Sequence, residues 1–113
     1  MGKDVRQRLE RRVREEQILN AAIELACQNG YASLRRDAIA EQAKCATGQI
    51  NFIFHTMKQL NKAVMRETVK RLKKGERDEG LLRILAQGIT AGETEATKAP
   101  SELKQEAIAS LIN

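Results

Sequence analysis

KCATGQINFIFH (residues 44–55) sets a threonine, a glycine and two amides, Gln49 and Asn51, among Ile50, Phe52, Ile53 and Phe54. Both phenylalanines of the chain and its single histidine, His55, fall in this stretch. Ile50 and Phe54 are four apart, so a helix beginning at Thr47 brings them to one face with Ile53 beside them. Thr47, Gln49 and Asn51 then point the other way. Such a helix has a core on one side and a polar partner on the other. Gly48 in its first turn weakens the helix but leaves room for a close approach.

The flanking sequence is helical on both sides. Residues 11–29 place Ile18, Ala22 and Leu25 on one face with Ala21 and Ala26 beside it, and Asn29-Gly30 supplies a stop. Tyr31 is expected to fold back on the core. Ser33 is expected to cap a helix over 34–44, with Leu34, Ala38, Ile39 and Ala43 inward and Arg35 and Arg36 outward. After a break at Cys45-Ala46, Thr47 is expected to cap the helix that ends at Phe54. Thr56-Met57-Lys58-Gln59 fits a capping box for a helix reaching Lys74, with Leu60, Val64, Thr68 and Leu72 in one stripe. KKGERDEG then reads as a charged hinge. Leu81, Leu82, Ile84, Leu85 and Ile89 mark a strongly apolar fifth helix. GETEATKAP reads as a linker. Ser101 caps a last helix carrying Leu103, Ala107, Ile108, Leu111 and Ile112. No alternating run long enough for a strand is present, so the expected class is all-α. The expected divisions are a basic arm at 1–16, a body at 17–74 and a short helical tail at 75–113.

Composition narrows the function. The chain has 113 residues, of which 42% are hydrophobic and 3% aromatic, which fits one small domain with an aliphatic core. No apolar run approaches the roughly 18 residues of a membrane span, and the charged N-terminus lacks the apolar stretch of a signal peptide. A cytosolic protein is expected. Cys27 and Cys45 have no metal-motif spacing, and one histidine cannot complete a usual zinc site, so no metal and no cofactor is expected. No nucleophile–base set and no phosphate-binding loop is present, so an enzyme is not expected. Charge is split along the chain. Residues 1–74 hold 16 Lys/Arg and 8 Asp/Glu, a net of +8, whereas residues 75–113 hold 4 and 7, a net of −3. A basic body implies a polyanionic partner.

Two short helices joined by a tight turn, the second half-apolar and half-polar, describe a helix-turn-helix whose second helix enters a DNA major groove. Ile18-Leu19-Asn20-Ala21-Ala22-Ile23-Glu24-Leu25, Asn29-Gly30-Tyr31, Ile39-Ala40-Glu41-Gln42-Ala43, then Gly48, Ile50, Phe54 and Leu60 follow one another without a gap from Ala43. In this order, residues 18–64 resemble the DNA-binding domain of the TetR family of bacterial repressors. The chain departs from that pattern in four places. Asn51 stands for a usual tyrosine, Ile53 for a histidine or tyrosine, Lys44-Cys45-Ala46 for Gly-Val-Ser, and Arg35 for a capping serine or threonine. The resemblance implies that Thr47, Gly48, Gln49, Asn51 and Phe52 face DNA. It places Arg35, Arg36 and Asp37 near the backbone and an adjacent base, and His55 and Lys58 near phosphates. Gln and Asn are the side chains that pair bidentately with adenine.

Members of that family carry a larger C-terminal half, and a tail this short leaves little room for a drug-sized pocket. The expected partners are double-stranded DNA and a second copy of the chain, joined through residues 81–112, with no membrane and no small-molecule inducer. The sequence therefore predicts a compact sequence-specific transcriptional regulator, a repressor of phage or plasmid type, binding an inverted repeat. Two rivals are a non-specific DNA-coating or partition protein and a helical protein-binding adaptor such as an antirepressor.

Overall fold

The structure, a computed structural model, describes residues 2–112, with side chains from Val5 onward. Its helices are α1 (Gly2–Asn29), α2 (Arg36–Ala43), α3 (Thr47–Ile53), α4 (Met57–Lys73), α5 (Glu79–Thr90), α6 (Thr94–Thr97) and α7 (Ser101–Ile112). A 3-10 turn spans Tyr31–Ser33, and no strand occurs among the described residues, so the fold is all-α.

The two halves of α1 have different surroundings. From Ile18 onward its side chains are core: Ile18 and Ala22 are fully buried, and Leu19, Ala21, Ile23 and Ala26 nearly so. So wide a buried arc follows from packing on α2, α4 and α5 at once. From Val5 to Gln17 no residue is buried. Arg, Glu, Gln and Leu are good helix formers, and they carry the helix outward beyond the core. The molecule is accordingly 49 Å long but only 21 Å deep. Its radius of gyration is 14.7 Å, against about 13 Å for a compact chain of this length. The stretch expected as a basic arm is thus a continuous part of α1.

Local chemistry sets the boundaries, in places differently from the expectation. Gly30 takes φ 96°, and its N–H donates to the Ala26 carbonyl at 2.9 Å, closing α1. Ser33 does not cap α2. It ends the 3-10 turn, where its hydroxyl donates back to the carbonyls of Asn29 and Gly30 at 2.8 Å. The turn consumes the residues between α1 and α2, so α2 starts at Arg36 with Arg35 extended before it. Thr47 is the first residue of α3, and Ala46 occupies the cap position. Thr56 does cap α4, accepting from the Gln59 N–H at 3.1 Å, while the Gln59 side chain reaches back to the His55 N–H at 3.0 Å. Residues 93–100 are no loose linker. Within them Thr94–Thr97 form α6, which buries Ala96 completely, and Ala99 is 6% exposed. At α7, Pro100 holds the cap position, since its carbonyl accepts from the Lys104 N–H at 3.0 Å, and Ser101 is the first helical residue.

One hydrophobic cluster runs from Ile18 to Ala107 and crosses the division at residues 74–75. Helix α5 lies at its centre, in contact with α1, α4, α6 and α7. Ile84, Leu85 and Ala86 are fully buried, so the apolar run expected for dimerisation is largely covered within the chain. Two glycines permit this closeness. A Cβ on Gly80 would lie 2.5 Å from Cys27 Sγ, and one on Gly88 would lie 2.3 Å from Met65 Cε and 2.9 Å from Ala96 Cβ. Met65 can swing its methyl group aside, but Ala96 cannot move without its backbone. Gly88→Ala is therefore expected to destabilise by about 1–3 kcal/mol. Thermal unfolding followed by circular dichroism, with Gly48→Ala as control, checks this.

Tyr31 links the end of α1 to the second half of the chain. Its N–H donates to Gln87 Oε1 at 2.9 Å and its hydroxyl to Glu93 Oε2 at 2.6 Å. Burial first, and the Glu93 carboxylate second, push its ionisation well above the ordinary tyrosine range. The folded state thus keeps a proton that the unfolded chain releases near pH 10. Its contribution is fully present below that pH and is lost as pH rises above it. Tyr31→Phe is expected to cost about 1–2 kcal/mol at neutral pH. The gap between variant and wild type should narrow above about pH 10, as read from urea unfolding at a series of pH values.

Candidate nucleic-acid interface

Helix α3 is fixed from beneath by its two inward residues. Ile50 is fully buried and Phe54, just past its end, is 7% exposed, with Ile53 partly buried beside them. Its outer face presents Thr47, Gly48, Gln49, Asn51 and Phe52, all exposed. This is the two-sided helix that the residue pattern implies.

The turn before α3 is held by the backbone. Lys44 takes the left-handed conformation, φ 58° and ψ 46°, and is the only non-glycine with positive φ among the described residues. The Lys44 N–H donates to the Glu41 carbonyl at 3.2 Å and the Cys45 N–H to the Ala40 carbonyl at 3.0 Å, closing α2. A lysine in this conformation is strained by its Cβ. Here the chain departs from the glycine of the resembled pattern, and the backbone keeps the shape that glycine favours.

The start of α3 is capped by its own third residue. Gln49 Oε1 accepts from the Ala46 N–H at 3.3 Å, and the Gln49 N–H donates to the Ala46 carbonyl at 3.0 Å. The amide that the sequence offers to a base is therefore engaged, by a long and exposed hydrogen bond that a better partner can replace. The Asn51 side chain has no hydrogen-bond partner among the described residues. Arg35 and Asp37 are exposed and Arg36 is partly buried at the start of α2, with Asp37 placed favourably in its first turn. His55 and Lys58 are exposed at the start of α4: His55 lies two residues beyond the end of α3, and Lys58 is the second residue of α4. The 17-residue α4 begins at Met57, between these two residues.

Phe52 has a neighbour that sequence reasoning missed. It is 69% exposed, and the Arg11 guanidinium lies 5.6 Å from its ring centroid. The projecting half of α1 and the outer side of α3 border one wide, open depression. Val5, Leu9 and Val13 form a separate, exposed stripe of α1, about 120–200° round the helix from Arg11. The four-residue spacing of Leu9 and Val13 was the available signal, and Val5 extends it by one turn. Among the described residues no group of acidic, histidine or cysteine side chains is placed to hold a metal ion, and no helix is long and apolar enough to cross a membrane.

No family model matches the chain, and neither a curated protein nor a solved structure is detectably similar to it.

Two glycine-related substitutions separate turn geometry from surface chemistry. Lys44→Gly relieves the left-handed strain and is expected to stabilise by about 1 kcal/mol. Gly48→Ala meets nothing within 4 Å, and should raise stability by up to ~1 kcal/mol through helix propensity. Both are read from thermal or urea unfolding. A destabilised Lys44→Gly would refute the turn as described.

Proposed function

We propose that the chain is a sequence-specific DNA-binding regulator of the TetR-like helix-turn-helix type. The observation that carries this reading is the two-sided α3, anchored by Ile50 and Phe54 and presenting Thr47, Gly48, Gln49 and Asn51 outward. In this reading α3 enters the major groove. Asn51 and Gln49 meet base edges, with Gln49 exchanging its hydrogen bond to Ala46 for one to a base. Gly48 allows the sugar–phosphate edge to come close. Arg35, Arg36, His55 and Lys58 meet phosphates, assisted by the N-terminus of α4. Asp37 holds the start of α2 and faces an adjacent base.

The reading includes a homodimer and calls for no cofactor and no small-molecule inducer. The apolar face of α5 is covered within the chain, which narrows the self-association surface to the outer side of α7. Ile108, Leu111 and Ile112 are exposed there at 46%, 55% and 82%. They lie at i, i+3 and i+4 and form one patch. Pairing about a two-fold axis through this patch would present two copies of α3 to an inverted repeat, repressing by occupancy. Unselective coating of DNA is the second reading. The arginines of α1, at positions 6, 8, 11, 12 and 14, favour it, because phosphate contacts carry no sequence information.

Selection from a random duplex library separates the two. An inverted repeat bound about a thousandfold above a scrambled duplex is expected. Gln49→Ala and Asn51→Ala should each relax selectivity at one position by about 1–3 kcal/mol. Lys58→Ala should weaken all sequences alike and lower the salt slope by about one. Tight but unselective binding would establish coating instead. Leu111→Glu with Ile112→Glu should yield a folded monomer in sedimentation. Truncation at residue 75 is no test of the dimer, since it would strip Ile84 and Leu85 from the core.

A further inference from the structure

Phe52 is 69% exposed on the outer side of α3, and the Arg11 guanidinium of α1 lies 5.6 Å from its ring centroid. The DNA-binding reading above gives this pair no role. Recognition helices meet base edges with their N-terminal residues, whereas Phe52 is the sixth of the seven residues of α3. A ring so exposed forgoes the stabilisation that burial would bring. What it meets instead is a cation from the projecting half of α1.

Arg11 retains its full capacity to bind an anion. Among the described residues it makes no hydrogen bond and no ion pair. Arg6, by contrast, is 3.2 Å from Glu10, and Arg14 donates to Gln17 at 3.2 Å. A guanidinium held by a ring through its charge keeps its five N–H donors. The ring also orders in advance a long side chain whose immobilisation would otherwise weaken binding. Arg11 has company on this side of α1. Arg8 and Arg14 stand three residues before and after it, so each lies about 60° round the helix from it. All three border the same open depression as Gly48, Gln49 and Phe52. Glu10, engaged by Arg6, is the one carboxylate among the described residues lining it. A positive surface therefore adjoins the outer face of α3.

We propose, resting on the DNA-binding reading, that Phe52 is a positioning residue and not a base contact. Its ring holds Arg11 beside α3, and Arg11, flanked by Arg8 and Arg14, binds phosphates bordering the groove that α3 enters. Phosphate contacts fix register and orientation on a duplex. The projecting half of α1 is thereby a third DNA-contacting element, and it sets where α3 sits. The competing role for an exposed phenylalanine on a recognition helix is apolar contact with a thymine methyl group.

The test is a double-mutant cycle on the whole chain, with fluorescein-labelled duplex followed by anisotropy at a series of salt concentrations. The duplex is the one that selection returns, or a random-sequence duplex if none is preferred. Arg11→Gln is expected to weaken binding about tenfold and to lower the salt slope by about one, with sequence preference unchanged. Phe52→Leu removes the ring and should weaken binding about threefold. It should cost nothing further once Arg11→Gln is present. Phe52→Tyr keeps the ring and should bind as the wild type does. Both positions are exposed, and coincident melting curves would show that the variants fold. Additive losses, with a changed base preference in Phe52→Leu, would overturn the proposal and make Phe52 a base contact. A wild-type salt slope in Arg11→Gln would overturn it too, and would leave the DNA-binding reading standing. Absence of binding to any duplex would sink both together.

Discussion

The burial of α5 against α1 and α4 is the constraint on which the remaining geometry depends. Helices α1 and α4 flank the two short helices, and neither α2 nor α3 is long enough to be stable by itself. What fixes the angle between α1 and α4 is the aliphatic surface of α5, with Ile84 and Leu85 fully buried. Gly80 and Gly88 let that surface come close, each at a point where a methyl group would overlap a neighbour. Tyr31 then fastens the end of α1 to Gln87 and Glu93 beyond it. The position of α3 relative to the start of α4 is therefore set by residues some thirty or more positions further along the chain.

This explains why a tail that reads as an appendage is part of the body. Sequence reading finds the apolar stripe of α5 correctly, because periodicity reports that a face is buried. Periodicity cannot report what buries it. With only 39 residues after the hinge, a second copy was the natural cover, whereas the chain folds back and supplies α1, α4 and α7 itself. The small residues of 93–100 misled for a related reason. Gly, Thr and Ala resemble loop composition, yet Ala96 and Ala99 are small because α6 presses close to α4 and α5.

Legibility was highest where side-chain type and backbone geometry are tightly coupled. Gly30 at the end of α1, Thr56 at the start of α4 and the Leu60–Val64–Thr68–Leu72 stripe follow directly from capping and periodicity. Ser33 and Thr47 failed because a hydroxyl near a helix start has more than one use. Ser33 serves the 3-10 turn, and Gln49 takes over the work expected of Thr47. At the candidate site the division of α3 into buried Ile50 and Phe54 and exposed Gln49 and Asn51 was legible from spacing alone. The contact of Arg11 with Phe52 was not, because it joins residues about forty positions apart.

The projecting half of α1 shows how composition and context combine. A run with five arginines and few apolar residues would be a solvated terminus if it stood alone. As a continuation of α1 it inherits the direction that Ile18 and Ala22 impose, since a helix transmits orientation over its whole length. That direction carries Arg11 onto Phe52 and leaves Val5, Leu9 and Val13 more than half exposed. The chain therefore holds two adjoining surfaces of unlike character, the neutral amides of α3 and the arginines of α1, and Phe52 joins them through Arg11.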